Sequence, residues 1–129
     1  MTEEELRRRF EELTLTADQF PHREHVRLAW TYLRELPLVE VLELFPRNLR
    51  RFAASVGAEG IYHETVTWTF LMIIAERIER SGERTSFAAF RDANADLLEK
   101  GFLERYYQAE TLASEEAKRR FVWPDKVSG

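Results

Sequence analysis

The stretch from Val66 to Ala75, VTWTFLMIIA, is apolar almost all the way round a helix, interrupted only by Thr67 and Thr69. A helix that apolar on every side has to be enclosed, by other helices or by lipid. Its unbroken apolar run, FLMIIA, is far too short to cross a bilayer. The sequence therefore calls for a central buried helix over about 61–81, stopped by Gly82, with other helices wrapped around it.

The rest of the chain supplies them, because its hydrophobic period is helical nearly throughout and no alternating strand pattern persists. A first helix is expected over 2–13, with Thr2 and Glu5 at capping-box spacing and Leu6, Phe10 and Leu13 as its buried stripe. Glu3, Glu4 and Glu5 stand four residues before Arg7, Arg8 and Arg9, the favourable order for helix ion pairs. Thr16 and Gln19 repeat the capping spacing for one further turn. A second helix follows Pro21 and runs over 22–36, with Val26, Ala29, Trp30 and Leu33 inward and Arg23, Arg27 and Arg34 toward water.

Pro46 removes a bond to the carbonyl of Leu42, so the third helix is read as two segments, 38–45 and 46–56, ended at Gly57. Beyond Gly82 the helical runs shorten, starting from Thr85 or Ser86 and continuing through KGFLERYYQAE and SEEAKRRFVW. With 129 residues, 44% of them hydrophobic and 33% charged, the expectation is one all-α domain over 1–129. It is a compact helical bundle with a short-helix C-terminal third.

Composition also removes classes of function. The net charge of −4 offers no basic field for nucleic acid, and the arginines at 47, 50 and 51 read better as a solvated face. No cysteine is present, which excludes disulfides, thiolate nucleophiles and Cys-ligated zinc or iron–sulfur sites, and agrees with a reducing compartment. The opening MTEEELRRRF lacks the apolar region of a signal peptide. A cytoplasmic protein with no membrane and no nucleic-acid partner is expected, its oligomeric state left open.

Only three histidines occur, His22 and His25 in FPHREHVRLAW and His63 in GIYHETVTW. A spacing of three puts His22 and His25 on one side of a helix. His63 falls in the first turn of the central helix, with Thr67 one turn further on. If the two helices start at the same end, the three imidazoles converge, and three neutral imidazoles plus water suit zinc, while iron, nickel and copper also accept imidazole. Glu24 and Glu64 each adjoin a histidine and could supply a ligand, an outer acceptor or a general base, with Glu64 the better base. Trp30, Tyr62, Thr67 and Glu24 would then complete a pocket for a small molecule. The competing reading makes the histidines a hydrogen-bonded network that fixes a binding pocket without catalysis. Metal ligation would put imidazole nitrogens about 2 Å from a common point, and a network would put them about 3 Å from oxygens.

Sharper motifs are absent. HET at 63 lacks the second histidine of H-E-x-x-H because Thr67 stands there, and HRE at 22 has no cysteines to make a deaminase zinc site. No Glu-x-x-His pair, G-x-S-x-G, Walker loop or G-x-G-x-x-G occurs. Tyr106, Tyr107, Phe102, Phe121 and Trp123 read as core aromatics before they read as a pocket.

FPHREHVRLAW, GIYHETVTW and the later FVWPD together resemble a group of small, uncharacterised bacterial all-helical proteins with F-x-H-x-x-H-x-x-x-A-W and Y-H-x-T signatures. The likeness spans Phe20 to Asp125. It implies that His22, His25, Trp30, Tyr62, His63 and Thr65 belong to one shared feature, and implies no reaction. The expectation is a helical protein that holds a divalent metal (zinc, iron or nickel) on His22, His25 and His63. Glu64 would act as base on a small molecule in hydrolysis, hydration or oxidation. The alternative is a non-catalytic ligand-binding or interaction module.

Overall fold

The computed structural model describes residues 1–126, and among them there are seven α-helices, four 3-10 turns and no strand. The helices are α1 (Glu3–Glu11), α2 (His22–Leu33), α3 (Leu38–Ser55), α4 (Glu64–Ser81), α5 (Phe87–Ala93), α6 (Ala109–Leu112) and α7 (Glu115–Arg119). The 3-10 turns are Ala17–Gln19, Glu59–Ile61, Ala95–Leu98 and Phe102–Arg105. The chain is all-α with α4 at its centre, packed on α2, α3, α5 and α7. No helix among the described residues is long and apolar enough to cross a membrane.

One hydrophobic cluster joins Leu6 and Phe10 of α1, Leu28, Trp30 and Tyr32 of α2, Val41 and Phe45 of α3, and Leu71, Ile74 and Ile78 of α4. Burial is not confined to α4, since every residue of α2 from Leu28 to Leu33 is buried as well. Thr2 caps α1 by accepting from the Glu5 amide at 3.1 Å, and Gln19 Oε1 accepts from the Thr16 amide at 3.0 Å. Gly82 ends α4 in the left-handed region at φ 70° and Gly57 follows α3 at φ 71°, where a side chain would be strained.

Several expectations are corrected. α3 is a single helix through Pro46, which is buried beside Phe45. One missing backbone bond at Leu42 is outweighed by the apolar face that α3 buries on either side of it. α1 ends at Glu11, short of Leu13, which itself turns into the left-handed region at φ 60°. Such a conformation costs a leucine roughly 1–2 kcal/mol. α2 stops at Leu33, and α4 begins at Glu64 after a separate 3-10 turn.

Arg27 and Arg34 do not point to water. Arg27 lies between Glu3 (2.6 Å) and Glu24 (3.1 Å) and also donates to the Met1 carbonyl. Arg34 stacks over Trp30 at 4.8 Å and reaches Glu4 at 3.3 Å. The acidic first turn of α1 is thus spent mostly on α2, and of its expected internal pairs Glu5–Arg9 forms, at 3.0 Å.

Candidate functional site

His22 opens α2, and its Nε2–H donates to the Leu97 carbonyl at 3.1 Å while the ring meets Phe70 edge-on. One turn on, His25 donates its Nε2–H to the Phe20 carbonyl at 3.1 Å and stacks on the Phe20 ring at 3.9 Å. A carbonyl can only accept, so in both rings Nε2 carries a proton. His63 is different. It is the N-cap of α4, with Nδ1 accepting the Val66 amide at 3.1 Å and Nε2–H donating to the Leu112 carbonyl at 2.7 Å.

Both nitrogens of His63 are therefore committed, because the bare amides at a helix start need an acceptor and this ring supplies it. The expected three-imidazole ligand set is not assembled: no lone pair is left at His63. Among the described residues no group of three or more His, Cys, Asp or Glu is arranged to hold a metal ion.

The other site candidates disperse. Glu64 Oε1 accepts from the Tyr62 hydroxyl and from Arg50 at 3.4 Å, so it faces α3 and no imidazole bonds to it. Arg50 also lies over the Tyr62 ring at 5.3 Å. Glu24 is bound by Arg27 and by Arg23 at 3.5 Å, in a charged depression on the α1 and α5 side of α2. Trp30 is fully buried against Phe87 and Phe90 and donates its indole N–H to the Glu83 carbonyl at 3.3 Å. It contributes to the core and not to a pocket wall.

What the fold does bring together is His25, Tyr62, His63 and Thr67. They line a cavity of about 280 Å³ between α2, α3 and α4, otherwise walled by apolar side chains such as Phe20, Leu49, Phe52 and Val66. A narrower chamber of about 70 Å³ is lined by His22, Phe70 and Ile74 among others. His25, Leu49, Val66 and Thr67 line both, so the two chambers adjoin across a shared wall and are described together as the groove. Ile61 stands at its rim, 79% exposed. Burial of the His25 ring, helped by repulsion from His22 and opposed by the Phe20 carbonyl, lowers its pKa to about 4. The imidazole is neutral at pH 7.

The sequence reading placed Thr65 in the shared feature without a role and missed Thr69 as a working residue. Thr65 is completely buried; its hydroxyl donates to the Arg120 carbonyl at 2.9 Å and accepts the Val122 amide at 3.1 Å. Tyr107 donates to the Val122 carbonyl at 2.6 Å, which leaves the Thr69 hydroxyl to donate to Tyr107 at 3.3 Å. Asp125 accepts the Gln108 amide at 2.8 Å and the Thr111 hydroxyl. FVWPD is thus a clasp laid across α4, with Phe121 stacked on Trp68 at 5.7 Å. Three threonines in the buried first half of α4 were the available signal, since buried hydroxyls need partners.

Four of the six signature-like residues fasten backbone that is distant in sequence, while His25 and Tyr62 bond locally, to Phe20 and Glu64. His22 reaches Leu97, Trp30 reaches Glu83, His63 reaches Leu112 and Thr65 reaches Arg120. Comparison with protein families, with curated proteins and with solved structures found no match for this chain.

Proposed function

We propose that this is a cytoplasmic, non-catalytic module that binds a compact apolar molecule in the groove between α2, α3 and α4. The observation that carries this reading is the shared wall of the two chambers, apolar except for a half-buried neutral imidazole and one hydroxyl. Small-molecule sites have this composition, with mostly hydrophobic lining and a few fixed polar groups. The larger chamber, about 280 Å³, suits a ligand smaller than most drugs. The histidines agree with it, being hydrogen-bonded to carbonyls at 2.7–3.1 Å.

A neutral solvatochromic dye tests the proposal. Saturable uptake by the native protein, abolished in Leu49→Trp and in Val66→Trp, is the expected result. Blocking from α3 and from α4 separately keeps a folding defect in one variant from deciding the outcome. Uptake that never saturates, or that survives both substitutions, sinks it.

A second reading keeps a divalent metal on His22 and His25 alone. Each holds its Nε2–H on a backbone carbonyl, the way metal-ligating histidines hold their outer nitrogen, and leaves Nδ1 unspent. Zinc titration of the native protein and of His22→Ala separates the readings. Stoichiometric binding that vanishes in the variant supports the metal, and absence of uptake of zinc, iron or nickel removes it.

A further inference from the structure

Every polar side chain lining the groove has already given its hydrogen away. His22 and His25 donate Nε2–H to the carbonyls of Leu97 and Phe20. His63 donates to Leu112, Thr67 donates to the His63 carbonyl at 2.8 Å, and Tyr62 donates to Glu64. No lysine, arginine, asparagine or glutamine lines either chamber. The side chains of the groove can accept hydrogen bonds from an occupant and cannot offer one.

The acceptors that remain are few, and His22 Nδ1 belongs to a ring that lines the narrower chamber alone. His63 Nδ1 is taken by the Val66 amide. His25 Nδ1 has no partner among the described residues, and it is not one of the fully sealed unpartnered atoms, which are Arg34 Nε and Trp68 Nε1. It is therefore reachable, and the ring to which it belongs lines both chambers. The Thr67 oxygen retains lone pairs on the same shared wall.

Resting on the binding reading above, we infer that the groove is specific for a neutral molecule carrying a hydroxyl donor on an apolar body, the hydroxyl bonded to His25 Nδ1. A carboxylate finds no side-chain donor there and stands against lone pairs. An occupant with no polar group leaves the His25 and Thr67 acceptors covered and unmatched, which is the arrangement that buried sites penalise most. Depressed basicity of His25 serves the same selection, since a neutral ring keeps its lone pair for the ligand.

The test is calorimetric titration of the intact protein with three matched probes: para-propylphenol, para-propyltoluene and para-propylbenzoate. In a plain apolar hole the toluene binds best, because it is the most hydrophobic of the three. In an acceptor-only groove the phenol leads the toluene by about tenfold, one matched hydrogen bond's worth of affinity, and the benzoate binds weakest. The preference for phenol disappears in His25→Phe, which keeps the ring stack on Phe20. In the native protein the ring-nitrogen resonances give an independent readout: phenol moves His25 Nδ1 and leaves the His63 nitrogens in place.

Toluene or benzoate binding as tightly as phenol overturns the inference, whatever the variant does. If the solvatochromic dye is taken up and blocked as described but none of the three probes binds, donor selection is wrong and the binding reading stands. If the dye is not taken up either, both fall together.

Discussion

The two halves of α4 are fastened by different chemistry. Apart from the Arg50–Glu64 pair at 3.4 Å, its first half is held by neutral groups: His63 to Leu112, Thr65 to the tail at Arg120 and Val122, and Thr69 to Tyr107. Its second half is held by charge. Arg77 forms a two-pronged pair with Asp96 at 2.8 and 3.0 Å and adds Asn94 at 2.9 Å, while Arg105 backs Asp96 at 3.1 Å. The groove opens along the first half, where the one ion pair, Arg50–Glu64 at 3.4 Å, lies behind Tyr62 and neither partner lines the cavity. The comparison teaches that the charged end sets the helix in place and the neutral end shapes a site beside it.

Acid acts most strongly on the α2 wall that faces the first half of α4 across the groove. His25 is held near 4 in the fold against an ordinary value of 6.5. The unfolded chain therefore binds the extra proton first, and stability falls as pH drops from about 6.5 to about 4. The loss attributable to this ring is up to about 3 kcal/mol. It is read as the difference in urea midpoint, across that window, between native protein and His25→Phe. A variant whose profile parallels the native one would remove His25 from the account.

Breaking the neutral half comes next. Thr65→Val leaves the Arg120 carbonyl and the Val122 amide without their hydroxyl and is expected to cost about 2 kcal/mol. The loss should be insensitive to salt. It should also raise amide exchange at Val122, whereas a uniform effect along the chain would deny the clasp.

The charged half gives a smaller and salt-dependent effect. The Arg77 hydrogen bonds and charge, with Arg105 behind them, hold the Asp96 pKa down at about 2. That contribution is present above the ordinary carboxylate value and is lost as pH falls from about 4 toward 2. Asp96→Asn is expected to cost about 1 kcal/mol at neutral pH, with the difference shrinking in high salt. An equal loss at low and high salt would contradict an ionic origin. Smallest of all is Arg80→Ala, since the Arg80–Glu76 pair is open to solvent at 3.1 Å and should shift the midpoint by less than about 0.5 kcal/mol.

How far the sequence could be read follows from the range of each interaction. The central helix, the Thr2 cap and the Gly82 stop were legible because periodicity and caps act within a turn or two. Pro46 misled because the local rule prices one missing bond, and only the packing of Phe45 and Phe52 shows what offsets it. Arg27 and Arg34 misled for a related reason: their partners Glu3 and Glu4 sit on another helix. At the histidines the sequence allowed convergence only if the two helices start at the same end, and in the fold His25 and His63 line one cavity. It could not assign the acceptors, because Leu97 and Leu112 lie 75 and 49 residues from the rings that bond them. Backbone carbonyls have no signature in a sequence. Thr67 could be placed on the groove wall from spacing alone, whereas Trp30 shares a helix with His25 yet joins the core packed against α5.

The tryptophans turn this architecture into its own optical instrument. Trp30 is sealed in the core, Trp68 is half-covered by Phe121 under the clasp, and Trp123 is 79% exposed. A dissolved quencher should extinguish their emission in the reverse of that order. Release of the tail from α4 would therefore appear as a red shift in the middle fraction alone, recorded without a label while the core stays dark to the quencher.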